Sequence, residues 1–251
     1  MKKCLVVLVV LSLLIGFAST SFTQGYSEAP ALAELVKEGK LPSVEERLPE
    51  ELLVVEPVEE IGQYGGTWKR CWTGVADVSG PVRITYDPTL RWSEDGKRIE
   101  PNVAKGWNLS EDCKELILYF REGMRWSDGK PLTADDVLFW FEDVVLNEDL
   151  TPVAPIWLTA GGSAKMEKLD DYTIKLTFSN PNPLILQWFV GVETFLPKHY
   201  LKDFHPKYVV KENLEALTEE EGFEFWYQLF HAKNDWISNP ERPTHKAWKP
   251  I

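Results

Sequence analysis

A serine nucleophile needs a sharp turn to lift its hydroxyl clear. The nearest approach among the 251 residues, Gly161-Gly162-Ser163-Ala164, lacks the closing glycine of the G-x-S-x-G elbow. Neither a phosphate-cradling P-loop nor a dinucleotide glycine fingerprint occurs. The four histidines, His199, His205, His231 and His245, include no pair at the i, i+4 spacing that sets two imidazoles on one metal. No metal site and no cofactor is therefore expected. Neighbouring acids occur at Asp135-Asp136, Asp170-Asp171 and Glu219 to Glu221. A glycoside hydrolase needs two carboxyl groups about 5 to 10 Å apart across a cleft, so a secreted hydrolase using cleft carboxylates stands as the alternative function. Helix starts and turns account equally well for acids placed in this way.

The residue type in surplus is tryptophan, with eleven copies. An indole face stacks on sugar rings and on apolar peptide side chains, and its N–H offers one donor. Trp140 and Trp226 fall on helical stripes and read as core. Trp68 and Trp72 alternate on a strand and are the better candidates for a binding surface.

These side chains must be held by elements that the sequence also marks. Residues 28 to 60 carry ten Glu against Lys37, Lys40 and Arg47 and are punctuated by prolines. Pro30 suits a first helical turn with Gly39 as the stop, and Ser43 with Glu46 reads as a capping box, so two short helices fit in a solvated acidic leader over 25–61. From Gly62 onward strands and hairpins take over. Trp68 to Thr73 alternates with period two, Asp95-Gly96 and Asp128-Gly129 are turn signals, 115–121 is a nearly continuous apolar strand, and Tyr172 to Phe178 alternates cleanly. Thr133 caps a helix with Asp135 and Asp136 in its first turn and Val137, Trp140, Phe141, Val144 and Val145 as its buried stripe. Thr218 with Glu221 suggests a second cap, for a helix burying Phe223, Trp226, Leu229 and Phe230. The fold class is mixed α and β.

A chain of this length buries a real core. Its net charge of -12 excludes nucleic acid and anionic membrane as partners, since both are bound by stripes of Lys and Arg. The first 24 residues read as a secretory signal peptide: Lys2 and Lys3 precede the apolar run Leu5 to Ala18, which is too short to span a bilayer and ends in small residues. Cys4 lies before that run and so cannot be acylated as a lipoprotein cysteine. Cys71 and Cys113 remain in an export compartment, either as a disulfide or as two small buried hydrophobes.

The segments Glu100-Pro-Asn-Val-Ala-Lys-Gly-Trp107 and Tyr119-Phe-Arg-Glu-Gly-Met-Arg-Trp-Ser-Asp-Gly-Lys-Pro-Leu-Thr-Ala-Asp-Asp-Val137, followed by Asp170-Asp-Tyr-Thr-Ile-Lys-Leu176 and Leu196-Pro-Lys-His-Tyr200, resemble in order the landmarks of the family 5 extracellular solute-binding proteins. The resemblance covers roughly 62–210. It implies a bilobal receptor of the type II periplasmic-binding-protein kind that captures a peptide or an oligosaccharide non-covalently and hands it to an ABC permease, with no chemical step. Family members run to about twice this length, so 62–251 is expected to be the N-terminal lobe with its small inserted domain, the second large lobe being missing. Such a chain is either a fragment of a longer product or a truncated remnant that no longer binds. Trp72 and Tyr86, near the ends of first-lobe strands, are the expected ligand contacts.

Overall fold

The computed structural model describes residues 26–66, 69 and 86–246. The Trp68 to Thr73 strand therefore lies outside the described residues, apart from Lys69. Helix α1 (Pro30–Lys37) begins with proline at its first turn, where the absent N–H is not missed, and stops at Gly39, whose φ of +70° only glycine adopts freely. Helix α2 (Val44–Arg47) carries the Ser43/Glu46 capping box that the sequence predicts. The leader is tied down at two points. Glu50 N–H donates to the Glu122 carbonyl at 3.0 Å, and the Glu51 carboxylate meets Lys105 at 2.5 Å.

Strands β1 (Leu90–Trp92) and β2 (Ile99–Pro101) form an antiparallel pair, turned at Asp95-Gly96 as expected. Gly96 takes φ +68°, and the Asp95 carboxylate accepts from Ser93 and from the Lys97 amide, which closes the loop. The larger sheet has four antiparallel strands in the order β3 (Ala104–Leu109), β4 (Glu115–Phe120), β6 (Thr173–Phe178), β5 (Ala164–Asp170). Period-two alternation puts Leu116, Leu118 and Phe120 of β4 and Ile174, Leu176 and Phe178 of β6 on one buried face. The register pairs Leu116 with Leu176 and Leu118 with Ile174, so apolar residues meet directly across the strands. The strand expected over 115–121 ends one residue early. Arg121 turns inward, and its guanidinium donates to the Asn102 and Val103 carbonyls.

Helix α3 (Ala134–Leu138) starts at the predicted Thr133 cap, with the Asp136 carboxylate reaching back to the Thr133 amide at 3.0 Å. It continues as a π-helix over Phe139–Val145. The wider i→i+5 turn shifts which residues face inward. Phe139 and Asp143 join Val137, Trp140, Phe141 and Val145 in the interior, whereas Val144 is only half-buried. Helix α4 (Ile156–Ala160) brings Trp157 onto Trp140, with stacked rings 5.6 Å apart. After α5 (Ile185–Phe189) and α6 (Lys198–Leu201) come helices α7 (Lys211–Glu220) and α8 (Trp226–Asn234), and the described chain runs on to Lys246.

The second cap is a correction. Thr218 does not begin a helix; it sits in the last turns of α7, buried, with its hydroxyl donating to the Leu214 carbonyl at 2.6 Å. The glutamates that follow are good helix formers and carry α7 on until Gly222, at φ +82°, where the Phe223 amide returns to the Thr218 carbonyl in a Schellman closure. Helix α8 starts at Trp226 instead, its entry held by the Gln228 side chain accepting from the Glu224 and Phe225 amides. Leu229 and Phe230 are fully buried as expected.

Gly161 marks a place where the backbone passes close to the core. A β-carbon there would lie 2.3 Å from Cδ1 of Phe178, a ring with 2 % exposure. Gly161→Ala is expected to cost about 1–3 kcal/mol through overpacking, read as a lowered urea midpoint. An unchanged midpoint would mean that the Phe178 ring can move.

Candidate functional site

Three stretches far apart in sequence, 86–89, 190–194 and 242–246, converge. Tyr86 is 40 % exposed, and its hydroxyl donates to the Val190 carbonyl at 3.1 Å. Thr89 bonds the Val192 carbonyl and the Thr194 hydroxyl, the latter at 2.8 Å, so 86–89 and 190–194 are laced together. Onto this pair the last described residues fold back. Arg242, Thr244 and Lys246 are all buried.

A buried cation is costly unless partnered, and each one here has partners. The Lys246 ammonium meets the Glu193 carboxylate at 2.7 Å and lies 3.5 Å from the centre of the Trp236 ring, with 2 % of the side chain exposed. Burial still holds its pKa below the usual lysine range, against the opposing pull of Glu193. Arg242 donates from Nε to Asn234 at 2.9 Å. Burial lowers its pKa to about 10, with the Glu193 and Asp235 carboxylates acting the other way. His245 stands edge-on to Trp126 at 5.6 Å, and its Nε2 lies 3.5 Å from the Asp87 carbonyl while its Nδ1 is enclosed without a partner. Burial is the main reason that its pKa falls to about 4.

Tyr86 feels the same surroundings. Partial burial, and then the Glu193 charge, push its phenol pKa up. With its proton given to Val190, the phenol oxygen has only lone pairs left to offer. A ligand at this surface would present an N–H or O–H to Tyr86 and lay an apolar face on its ring.

Of the expected contacts, Tyr86 therefore sits at a charged, partly open cluster, and Trp72 lies outside the described residues, as do Trp68 and Cys71. Cys113 has no disulfide partner among the described residues and sits in a left-handed turn, φ +55°, with its sulfur 3.9 Å from the Glu111 carbonyl. Trp140 is core as expected, and Trp226 is half-buried against His205. Glu193, Trp236, Arg242 and Lys246 were not legible as a site. The available signal was the run Arg242-Pro-Thr-His-Lys246, two cations and an imidazole with no acid among them in an acidic chain.

The neighbouring acids named as the hydrolytic alternative have structural work. Asp135 and Asp171 share Lys168, Asp170 accepts from the Tyr172 amide, Glu221 pairs with Lys233, and Asp136 is buried. Among the described residues no group of three or more His, Cys, Asp or Glu side chains is placed to hold a metal ion, and no helix is long and apolar enough to cross a membrane.

Comparison with known proteins adds an independent line. Residues 98–239 match the family model described as bacterial extracellular solute-binding proteins, family 5 Middle. The periplasmic alpha-galactoside-binding protein of Rhizobium meliloti is 31% identical over 233 residues, which is 84% of this chain and 33% of that protein. The probable peptide-binding protein YejA of Agrobacterium fabrum is 26% identical over 61% of this chain and 26% of its own length. The chain thus spans a quarter to a third of these curated relatives. Among solved structures, an oligopeptide-binding protein OppA superposes with a TM-score of 0.85 at 46% identity, covering 90% of this chain and 36% of that one. The periplasmic binding protein MelB of Agrobacterium fabrum C58, solved in complex with stachyose, superposes with a TM-score of 0.66 at 27% identity, covering 90% and 35% respectively.

Proposed function

The chain belongs to the family 5 bacterial extracellular solute-binding proteins, and on that footing we propose that it captures a peptide or an oligosaccharide outside the cytoplasmic membrane for delivery to an ABC permease. The family match over 98–239 carries this reading. Residues 1–24 act as the signal peptide. Capture is non-covalent, by stacking and hydrogen bonds in a cleft that excludes water, and the chain is not an enzyme. Tyr86 and Trp72 contact the ligand, Tyr86 through the free lone pairs of its phenol oxygen and through its ring.

Isothermal titration of the protein, produced from its gene at natural length, tests this against two panels: di- to pentapeptides, and raffinose-type oligosaccharides. Saturable binding of one panel is expected, with the ligand recovered intact. Tyr86→Phe should weaken it about tenfold, or about 1.4 kcal/mol. Hydrolysis of a bound ligand, or no binding of either panel, would overturn the proposal.

A further inference from the structure

Beside the Tyr86 hydroxyl the backbone is bare. Gly191 is exposed, and apart from its chain neighbours a β-carbon built on it would meet, among the described residues, only the Trp188 carbonyl at 3.5 Å and the Tyr86 hydroxyl oxygen at 3.6 Å. Two residues further on, the Glu193 carboxylate gives one oxygen to the Lys246 ammonium at 2.7 Å, and its other oxygen has no hydrogen-bond partner among the described residues. The Glu193 side chain is 22 % open, whereas that of Lys246 is closed off. Hydrogen bonds from Tyr86 to Val190 and from Thr89 to Val192 hold the two segments side by side, and the Glu193 charge is felt at Tyr86, whose phenol pKa it helps to raise.

The phenol oxygen has spent its proton on Val190, and the free carboxylate oxygen has none to give, so both only accept. An anion finds no surplus of positive charge here, because the buried cations Lys246 and Arg242 already feel Glu193, Asp87 and Asp235. An ammonium on the free oxygen would share one carboxylate with Lys246 and meet its like charge. Neutral hydroxyl groups meet neither objection, and a hydroxyl donating to a carboxylate makes a charge-assisted bond. We propose, resting on Tyr86 as a ligand contact, that Gly191 and Glu193 select the ligand at this site. The bare backbone at Gly191 admits a sugar ring to the Tyr86 oxygen, and adjacent hydroxyls of a neutral oligosaccharide donate to that oxygen and to the free oxygen of Glu193.

Isothermal titration of the natural-length protein with raffinose, trigalacturonate and trialanine tests this selection. Raffinose is expected to saturate the site, with the anionic saccharide and the peptide at least about tenfold weaker. Gly191→Ala sets a methyl group at ordinary contact distances from Tyr86 and Trp188, so the fold accepts it, while the ligand loses its place at the phenol oxygen. Raffinose affinity should then fall about tenfold, the worth of one hydrogen bond. Glu193→Gln should weaken raffinose about fivefold by the same reasoning; should the loss of charge beside Lys246 unsettle the fold, Gly191→Ala still decides. Absence of raffinose binding, comparable or tighter binding of trigalacturonate or trialanine, or raffinose affinity unchanged in both variants would each overturn the assignment. If Tyr86→Phe weakens binding in the same titrations, the reading of Tyr86 survives that failure; if Tyr86→Phe leaves binding unchanged, both fall.

Discussion

Asp136→Ala is expected to lower folding stability by about 3 kcal/mol, because one buried carboxylate closes three separate pieces of backbone and side chain. One oxygen accepts from the Thr133 amide at 3.0 Å and from the Trp126 indole at 3.2 Å; the other accepts from the Lys198 amide at 3.0 Å. The start of α3, the loop carrying Trp126 and the start of α6 therefore meet at a residue with 4 % exposure. Removing it strands three donors, and each enclosed donor without a partner costs about 1–3 kcal/mol. The sum is partly offset by the desolvation that the carboxylate itself no longer suffers, which shows as a raised carboxyl pKa. Asp136→Asn separates the contributions. An amide retains one acceptor and turns an N–H₂ toward a donor, so about half of the loss should return. Urea denaturation of both variants measures this, and an alanine variant within about 0.5 kcal/mol of the parent would show that water replaces the carboxylate at no cost.

Acidification is expected to remove about 3 kcal/mol of stability between pH 6.5 and pH 4 through His245 alone. In the unfolded chain this imidazole takes up a proton near pH 6.5, whereas in the folded protein its pKa is lowered to about 4. Below pH 6.5 the unfolded state thus binds more protons than the folded state, and stability falls by about 1.4 kcal/mol per pH unit until the folded form also titrates. Above pH 6.5 both states are neutral and the contribution is level. His205, whose pKa burial also lowers, adds to the loss with the same sign. His245→Phe keeps an aromatic ring against Trp126 and Phe195 and cannot be protonated. Its stability profile should be flatter than that of the parent by about that amount across the window. Parallel profiles would mean that the His245 imidazole is hydrated in the folded state.

Local signals in the sequence succeeded where the physics is local. The Thr133/Asp136 box, the Asp95-Gly96 turn, the Pro30 to Gly39 helix and the alternation along 173–178 each rest on contacts within a few residues, and each formed as written. Thr218 misled because Ser/Thr-x-x-Glu is satisfied inside a helix as readily as before one, and only Gly222 decides which. The π-turn of Phe139–Val145 is invisible to a 3.6-residue period by construction, and Asp143, held by Lys207 and Tyr208, is buried because of it. The candidate site was half legible. Tyr86 was named from its place next to a strand, and the fold sets it within reach of the Glu193 charge. Its neighbours Glu193, Trp236 and Lys246 lie more than a hundred residues away in sequence, and only the closed fold brings them together.

The Lys246 ammonium, closed off against Trp236 and paired with a partly open Glu193, responds to salt differently from the acidic leader. Mobile ions screen charges that they can surround, over about 10 Å at 0.1 M and about 3 Å at 1 M, and they reach enclosed pairs poorly. The ten glutamates of the leader stand mainly in solvent, so the field that they cast contracts as the medium grows saltier. The ammonium against Trp236, with 2 % of its side chain open, is screened much less than those glutamates. Brine and fresh water would thus see two different outer surfaces on this protein and nearly the same potential at Tyr86.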